Sequence, residues 1–281
     1  MITLKNEFLT VGLNPFGAEL TSITDTAGRE YIWQGNPAVW NGHAPVLFPI
    51  AGRLLSDSYE FDGETYYLQK HGFARKNAFA IYHQEETEAT FTFAATDETK
   101  RVYPFDFLLT VDFSLRGKTL TATHTVRNLG KTDMYFSLGA HPAFNIEIGD
   151  QVVFSEKEDF TTHLFNELGL AEGTKCIGKD TDTVTITEHI FDGDALFFEN
   201  LKSTGATIVS QKDGEILKMT YGKAPLLGLW AKPGAPYVCI EPWHGFCDTM
   251  NVSGKLEEKP HIQKLGASES FTLEYTVEIL R

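Results

Sequence analysis

The sequence predicts an all-β fold in which antiparallel strands form a sandwich or a barrel. Apolar residues recur at every second position in several segments, which is the period of a strand with one buried face. Turn sequences of the Asp-Gly type separate these segments. No segment keeps an apolar period of about 3.6 residues over three turns with caps at both ends, so long helices are not expected.

The clearest single element is a β-hairpin between residues 107 and 128. Apolar residues stand at positions 107, 109, 111, 113 and 115, and mostly polar residues stand between them. The sequence Arg116-Gly117-Lys118 then predicts a tight turn, and residues 119–128 predict the returning strand. Segments 89–95 and 270–279 alternate in the same way, so they are also predicted to be strands.

Length, composition and charge favour a single acidic domain over residues 1–281. All-β domains of this size are common, and no linker rich in Pro, Ser or Gly interrupts the chain. The formal net charge is −14. Because such a field repels phosphates and anionic lipids, neither nucleic acid nor a membrane is expected as a partner.

Cysteine usage and the first residues of the chain predict where it works. Three cysteines without a CxxC pair predict a reducing compartment and no disulfide framework. The N-terminal residues lack the basic and then apolar layout of a signal peptide. No apolar run approaches the roughly 20 residues that span a bilayer. We therefore expect a soluble, cytoplasmic protein.

The strongest candidates for catalysis are His141 and Glu241, each placed where a strand-like run ends against a proline. Alternation in the second run puts Tyr237, Cys239 and Glu241 on one face of a strand. A histidine and a glutamate at strand ends are the minimum set for moving protons on and off a substrate. The alternative for His141 is a loop histidine that hydrogen-bonds only its surroundings.

Three further residues are candidates for binding a substrate. Arg53 lies in an apolar stretch, where a guanidinium must find hydrogen-bond acceptors. His71 has Lys70 and Arg75 close by in sequence, and a solvated turn is the alternative for it. Asp194 opens a predicted strand, where turn chemistry is the usual role of an aspartate.

Motifs for metal and cofactor chemistry are not found. There is no HxH, HExxH or CxxC pair, so the nine histidines do not predict a metal site. Gly-rich phosphate fingerprints and the GxSxG elbow of serine hydrolases are also missing. The sequence therefore predicts acid–base chemistry with no metal and no other cofactor.

Four segments, in order, resemble motifs of the aldose 1-epimerase family, whose members are also called galactose mutarotase-like proteins. They are residues 48–53, 70–75, 139–145 and 241–243. The resemblance extends over essentially the whole chain, and residues 239–245 are similar to a bacterial branch of the family. The order of the four motifs carries the resemblance more than any one of them.

This resemblance implies a large antiparallel β-sandwich, the supersandwich, with an open sugar-binding cleft. The cleft would hold Arg53, His71, His141, Asp194 and Glu241. Glu241 would be the general base that takes the anomeric proton of a free aldohexose, and His141 the general acid at the ring oxygen. The chain departs from the family at Gly52, which stands where the family has an asparagine, so one substrate contact is missing.

Local positive charge leaves a second substrate class open. Lys70 and Arg75 flank His71 in a strongly acidic chain. Family members that act on hexose 6-phosphates look similar here, with an arginine after the His-Gly-Phe-Ala run. The alternative is that the two cations pair with surface carboxylates such as Glu64 or Asp62. In either case the partner is a small-molecule sugar or sugar phosphate.

Two other functional classes also remain open at this point. A glycoside hydrolase needs two opposed carboxylates about 5–10 Å apart, and Asp194 and Glu241 could be that pair. A non-catalytic sugar-binding module needs aromatic platforms, which Trp40, Trp230 and Trp243 could supply.

Overall fold

The computed structural model describes residues 1–281, and antiparallel strands dominate it. The strands, in chain order, are β1 (Ile2–Lys5), β2 (Leu9–Asn14), β3 (Glu19–Asp25), β4 (Ser58–Phe61), β5 (Glu64–Tyr67), β6 (Ala80–Gln84), β7 (Glu88–Ala94), β8 (Phe107–Arg116), β9 (Thr119–Asn128), β10 (Met134–Phe136), β11 (Leu138–Gly139), β12 (Ala143–Asn145), β13 (Gln151–Glu158), β14 (Thr161–Phe165), β15 (Ala171–Cys176), β16 (Thr181–Thr185), β17 (Leu196–Glu199), β18 (Gly205–Ser210), β19 (Gly214–Thr220), β20 (Leu226–Trp230), β21 (Tyr237–His244), β22 (Gln263–Leu265) and β23 (Ser270–Ile279).

Helical structure is confined to short segments. They are α1 (Asp97–Lys100) and three 3₁₀ segments, Leu55–Asp57, Ala74–Lys76 and Leu256–Glu258. None of these helices has the length and apolar character needed to cross a bilayer. The prediction of an all-β fold is confirmed.

The larger main sheet contains nine strands in the order β16-β13-β18-β19-β23-β9-β8-β7-β6. The predicted hairpin lies inside it, with β8 and β9 paired from Phe107↔Asn128 to Arg116↔Thr119. Alternate residues of β8 are buried, starting at its first residue, so the apolar face predicted from the period of two lies against the core. Strands β7 and β23 coincide within one residue with the other two predicted segments.

The second main sheet has seven strands and carries the candidate site. Its order is β11-β21-β20-β17-β14-β15, and β12 also pairs with β21. Strand β21 therefore has β20 on one side and the two short strands β11 and β12 on the other. A central strand with partners on both sides is a rigid support for the side chains that it presents.

Two apolar clusters fill the interior. The larger contains 68 buried residues and draws on both main sheets, as expected when the apolar faces of two sheets pack together. The smaller contains nine buried residues, among them Phe197, Trp243 and Cys247. The smaller cluster forms part of the wall of the cavity described below.

Residues from distant motifs are neighbours in this fold. Leu47 forms a bridge with Gly139, and Phe48 forms one with Gly72. The backbone N–H of Ala140 donates to the carbonyl oxygen of Pro242 at 3.1 Å. All four motif segments therefore meet at one end of β21.

Candidate active site

A cavity of about 210 Å³, open to solvent, lies at the place where the motif segments meet. Its polar lining residues include Lys70, His71, Arg75, His141, Asp194 and Glu241. Its aromatic lining residues are Trp40, Phe165, Phe197, Trp230 and Trp243. Five of the six residues that the sequence and the family resemblance single out as a site are thus brought together here, and Arg53 is not.

Glu241 projects into the cavity from β21, on the strand face that it shares with Tyr237 and Cys239. Its side chain is 2% exposed. The residue opposite on β20 is Gly228, where an added Cβ would lie 2.6 Å from the Phe197 ring and 3.3 Å from the Cβ of Glu241. The absence of a side chain at Gly228 therefore leaves room for both groups.

The imidazole of His141 lies against this carboxylate. Its Nε2 atom is 3.2 Å from Oε2 of Glu241. The ring stacks on Trp40, with centroids 5.3 Å apart, and meets the edge of Trp230 at 5.6 Å. Because aromatic rings hold the imidazole on two sides, packing sets its distance to the carboxylate.

Burial controls the protonation of this pair. Burial raises the pKa of Glu241 well above its ordinary value of 4.5, although nearby Lys70 and the indole N–H of Trp243 act in the opposite direction. Burial lowers the pKa of His141 to about 3. Both shifts favour the neutral forms, a protonated carboxyl group and an unprotonated imidazole, so one proton is shared by the pair with its resting place on Glu241.

His71 is held in one tautomer by the backbone of Gly52. The backbone N–H of Gly52 donates to Nδ1 of the His71 ring at 3.1 Å, and the backbone N–H of His71 donates to the Gly52 carbonyl at 2.9 Å. The pKa of His71 lies well below 6.5, mainly because the ring is buried and also because Lys70 is close. A neutral ring that accepts at Nδ1 carries its proton on Nε2, so His71 is a hydrogen-bond donor.

Gly52 is the residue that the backbone and its neighbours allow at this position. Gly52 has φ +82°, and an added Cβ would lie 2.4 Å from Sγ of Cys247 and 2.9 Å from its backbone nitrogen. Any side chain here would meet both backbone strain and a collision. The thiol of Cys247, which lines the cavity, therefore occupies the space beside residue 52.

Replacing Gly52 by alanine should lower the free energy of unfolding by about 3 kcal/mol, from positive-φ strain and the collision with Cys247. Gly63→Ala is a matched control, because Gly63 has φ +79° and no atom within 4 Å of an added Cβ. That variant should lose only about 1 kcal/mol. Urea unfolding followed by circular dichroism measures both, and equal losses would show that the contact with Cys247 has no energetic weight.

Lys70 and Arg75 place positive charge at the cavity, and neither is in salt-bridge contact with a carboxylate. Neither side chain forms a salt bridge, so the pairing with Glu64 or Asp62 considered from the sequence is not seen. One Nη of Arg75 donates to the Lys70 carbonyl at 3.1 Å, and its buried Nε has no partner. Burial lowers the pKa of Arg75 below 12.5. These cations are free to bind an anion.

Asp194 lines the cavity and also has a local structural role. Its φ of 88° is in the left-handed region, and its Oδ1 accepts the N–H of Ala195 at 2.7 Å. The turn chemistry expected as an alternative is thus present, together with a position beside Glu241, whose pKa it raises. One carboxylate oxygen of Asp194 therefore remains available to a ligand.

Arg53 lies outside the cavity, on the neighbouring surface. Its guanidinium donates to the Leu168 carbonyl at 3.2 Å and lies 3.7 Å from Asp57. The Arg53 carbonyl accepts the N–H of Asp248 at 2.9 Å, and Asp248 forms a buried ion pair with Lys259. A local carbonyl thus accepts one N–H of the guanidinium, whereas its Nε and the Oδ1 of Asp57 are buried without hydrogen-bond partners.

Two lining residues gave no signal in the sequence. Phe197 projects from β17 into the wall, with its ring centroid 4.3 Å from that of Trp243. Cys247 enters through the loop that follows β21. The chain has 21 phenylalanines and no motif around either position, so only the pairing of distant strands could identify them.

Comparisons with known proteins agree with one another. A family model described as Aldose 1-epimerase matches residues 1–276. The plasmid and chromosomal forms of Protein LacX from Lactococcus lactis subsp. lactis are each 34% identical over 297 aligned residues, covering 99% of both chains. The crystal structure of a galactose mutarotase related enzyme from Lactobacillus acidophilus has a TM-score of 0.94 and 28% identity, covering 100% of this chain and 97% of that one. A galactose mutarotase-like protein from Lactobacillus casei has a TM-score of 0.93 and 28% identity, covering 99% of each chain.

Proposed function

Because the chain belongs to the aldose 1-epimerase family, we propose that it interconverts the α and β anomers of a free aldohexose. The observation that carries this proposal is the buried Glu241–His141 pair, with 3.2 Å between Oε2 and Nε2, on the wall of a solvent-open cavity. The cavity volume of about 210 Å³ is below the roughly 300–1,000 Å³ of pockets for drug-sized ligands. It therefore suits a ligand of monosaccharide size.

The reaction opens and recloses the sugar ring. Glu241 takes the proton of the anomeric hydroxyl while His141 gives a proton to the ring oxygen, and the bond from C1 to that oxygen breaks. Rotation about the C1–C2 bond exposes the other face of the aldehyde. Reclosure with the two roles exchanged yields the other anomer and returns the pair to its starting protonation.

The productive state needs the shared proton on His141 rather than on Glu241. This state has the same total number of protons as the resting pair, so only a transfer over the 3.2 Å contact is required. Lys70 and the Trp243 indole N–H both lower the pKa of Glu241 and thus favour its carboxylate form. A bound sugar that donates its anomeric hydroxyl to the carboxylate adds to this preference.

The remaining lining residues orient the sugar. His71 donates from Nε2, and Asp194 accepts from ring hydroxyls. Trp40 and Trp230 meet nearly edge to face at 5.3 Å and give an apolar surface for the C–H faces of the ring. Fixed orientation of this kind contributes to catalysis because it replaces a bimolecular encounter.

The test is anomer exchange followed by polarimetry or NMR with a panel of pure anomers. We expect equilibration well above the spontaneous rate for at least one aldohexose. Hydrolysis of aryl glycosides without mutarotation would instead favour the glycoside hydrolase reading of Asp194 and Glu241. Saturable sugar binding with no rate enhancement would favour the non-catalytic binding module.

A hexose 6-phosphate is the second candidate substrate, and the unpaired cations favour it. Lys70 and Arg75 line the cavity without carboxylate partners in a chain of net charge −14. Positive side chains that are not in salt bridges attract an anionic group, and arginine binds phosphate with two donors.

Arg75→Ala should separate the two substrates. We expect kcat/KM on glucose 6-phosphate to fall about 10–100-fold, the loss of one charged hydrogen-bonding contact, with little change on glucose. Lys76→Ala is the matched control, because Lys76 is the adjacent cation, bonds Gln69 and does not line this cavity. Equal losses on both substrates, or a wild type indifferent to the phosphate, would rule out the phosphosugar.

A further inference from the structure

The thiol of Cys239 lies next to the acid–base pair, and the proposed reaction makes no use of it. Cys239 is two residues before Glu241 on the same face of β21 and is fully buried. Donor atoms of His141, Cys239 and Glu241 all lie within 4.8 Å of one another. Cys239 forms no disulfide, and no hydrogen bond to its thiol is present.

The distances suit a small metal ion after a minor adjustment. Zn²⁺ binds imidazole and carboxylate at about 2.0–2.2 Å and thiolate at about 2.3 Å, so neighbouring ligand atoms in a tetrahedral site are about 3.3–3.8 Å apart. The His141–Glu241 contact of 3.2 Å is close to that spacing. The three donor atoms lie within 4.8 Å of one another, so an approach of about 1 Å by the Cys239 sulfur completes three ligands at these distances.

The cavity gives the metal ion a path from solvent and leaves its fourth coordination position open. His141 and Glu241 both line it, so a metal held by them is open to solvent on the cavity side. The carboxylate of Asp194 lines the same cavity and attracts a cation, whereas Lys70 opposes one. The other ring nitrogen of His141, Nδ1, is buried and has no hydrogen-bond partner.

We propose that Cys239, His141 and Glu241 form a binding site for one thiophilic divalent metal ion such as Zn²⁺, and that its occupation inhibits the enzyme. The metal uses the lone pairs through which Glu241 and His141 would move protons, so it is an inhibitor and not a cofactor. Binding releases the protons of the thiol and the carboxyl group. Its affinity therefore rises with pH.

Co²⁺ provides a readout that does not depend on activity. The experiment uses the full chain with Cys176→Ala, so that only buried thiols remain. We expect a one-to-one complex with a sulfur-to-metal charge-transfer band and the intense visible bands of tetrahedral Co²⁺. Zn²⁺ should displace it in the same ratio, and a chromophoric chelator should report the Zn²⁺ affinity.

Cys239→Ala should abolish the charge-transfer band and weaken Zn²⁺ binding at least tenfold, the order of effect of disturbing a metal site. Cys247→Ala is the matched control, because Cys247 is also buried and lines the cavity but lies outside the cluster. Cys239→Ser provides a second variant if the alanine variant does not fold, as checked by circular dichroism. In the mutarotation assay, Zn²⁺ should inhibit the parent and the Cys247→Ala protein but not the Cys239→Ala protein.

Two results would overturn the site. One is a parent protein that binds neither metal, and the other is metal binding that survives Cys239→Ala unchanged. Because both are read from spectra and chelator competition, they are independent of whether the protein is a mutarotase. Absence of mutarotation together with a sulfur-bound metal would reject the proposed function and keep the metal site.

Discussion

Glu241→Gln is expected to reduce the rate of anomer exchange by about 10²–10⁴-fold, the usual contribution of a positioned acid or base. Glutamine keeps the size and hydrogen-bonding capacity of the side chain but has no basic lone pair at neutral pH. The matched control is Glu158→Gln, since Glu158 is also buried but bonds Ser203 away from the cavity. A Glu241→Gln protein that exchanges anomers at nearly the wild-type rate would show that Glu241 is not the base.

Glu241→Gln is expected to lower activity but to make the protein less sensitive to the loss of stability that ionisation of Glu241 causes. Burial raises the pKa of Glu241 in the folded protein, so from about pH 4.5 upward the unfolded state gains by ionising while the folded state does not. The contribution of Glu241 to the stability of the wild type therefore falls as pH rises through this range toward the folded pKa. In urea unfolding, the free energy of unfolding of Glu241→Gln relative to the wild type should rise between pH 5 and pH 8, while the activity of the variant is low at both.

His141→Asn is expected to cause a loss of similar size, about 10²–10⁴-fold, because asparagine cannot donate and recover a proton. His124→Asn is the matched control: His124 is also buried, its pKa is lowered to about 4, and it stacks on Tyr275 away from the cavity. Both variants can lose stability, but only His141→Asn should lose activity in stopped-flow polarimetry. Comparable rate losses in the two would assign His141 a structural role alone.

The dependence of the rate on pH should reflect the joint titration of Glu241 and His141 rather than the pKa of either residue alone. The active form holds one proton on Glu241 and His141 together, so activity should fall at low pH when a second proton binds and at high pH when the last one leaves. A bell-shaped profile of kcat/KM is expected. A rate that keeps rising with pH would mean that no general acid is needed.

Regular strands were the most predictable part of the fold. The hairpin β8–β9 and strand β23 are predicted from apolar residues at every second position. In a strand with one buried face, alternate side chains point to the core, so the sequence alternates between apolar and polar residues. The short strands β11 and β12 carry no such pattern, since they are two and three residues long. They form because their backbones hydrogen-bond to β21. Because β21 lies about 100 residues later in the chain, the residues around β11 and β12 do not predict this pairing.

The sequence by itself determined the fold class, the two titratable side chains at strand ends and, through four motifs in order, the family. Only the tertiary structure decided how these groups work. It turned Arg53 toward Leu168 and away from the cavity, locked the tautomer of His71 through Gly52, and placed Cys239 beside the acid–base pair. The physical reason is that alternation and motifs are local, whereas distances between side chains 100 residues apart depend on strand register, and pKa values depend on burial.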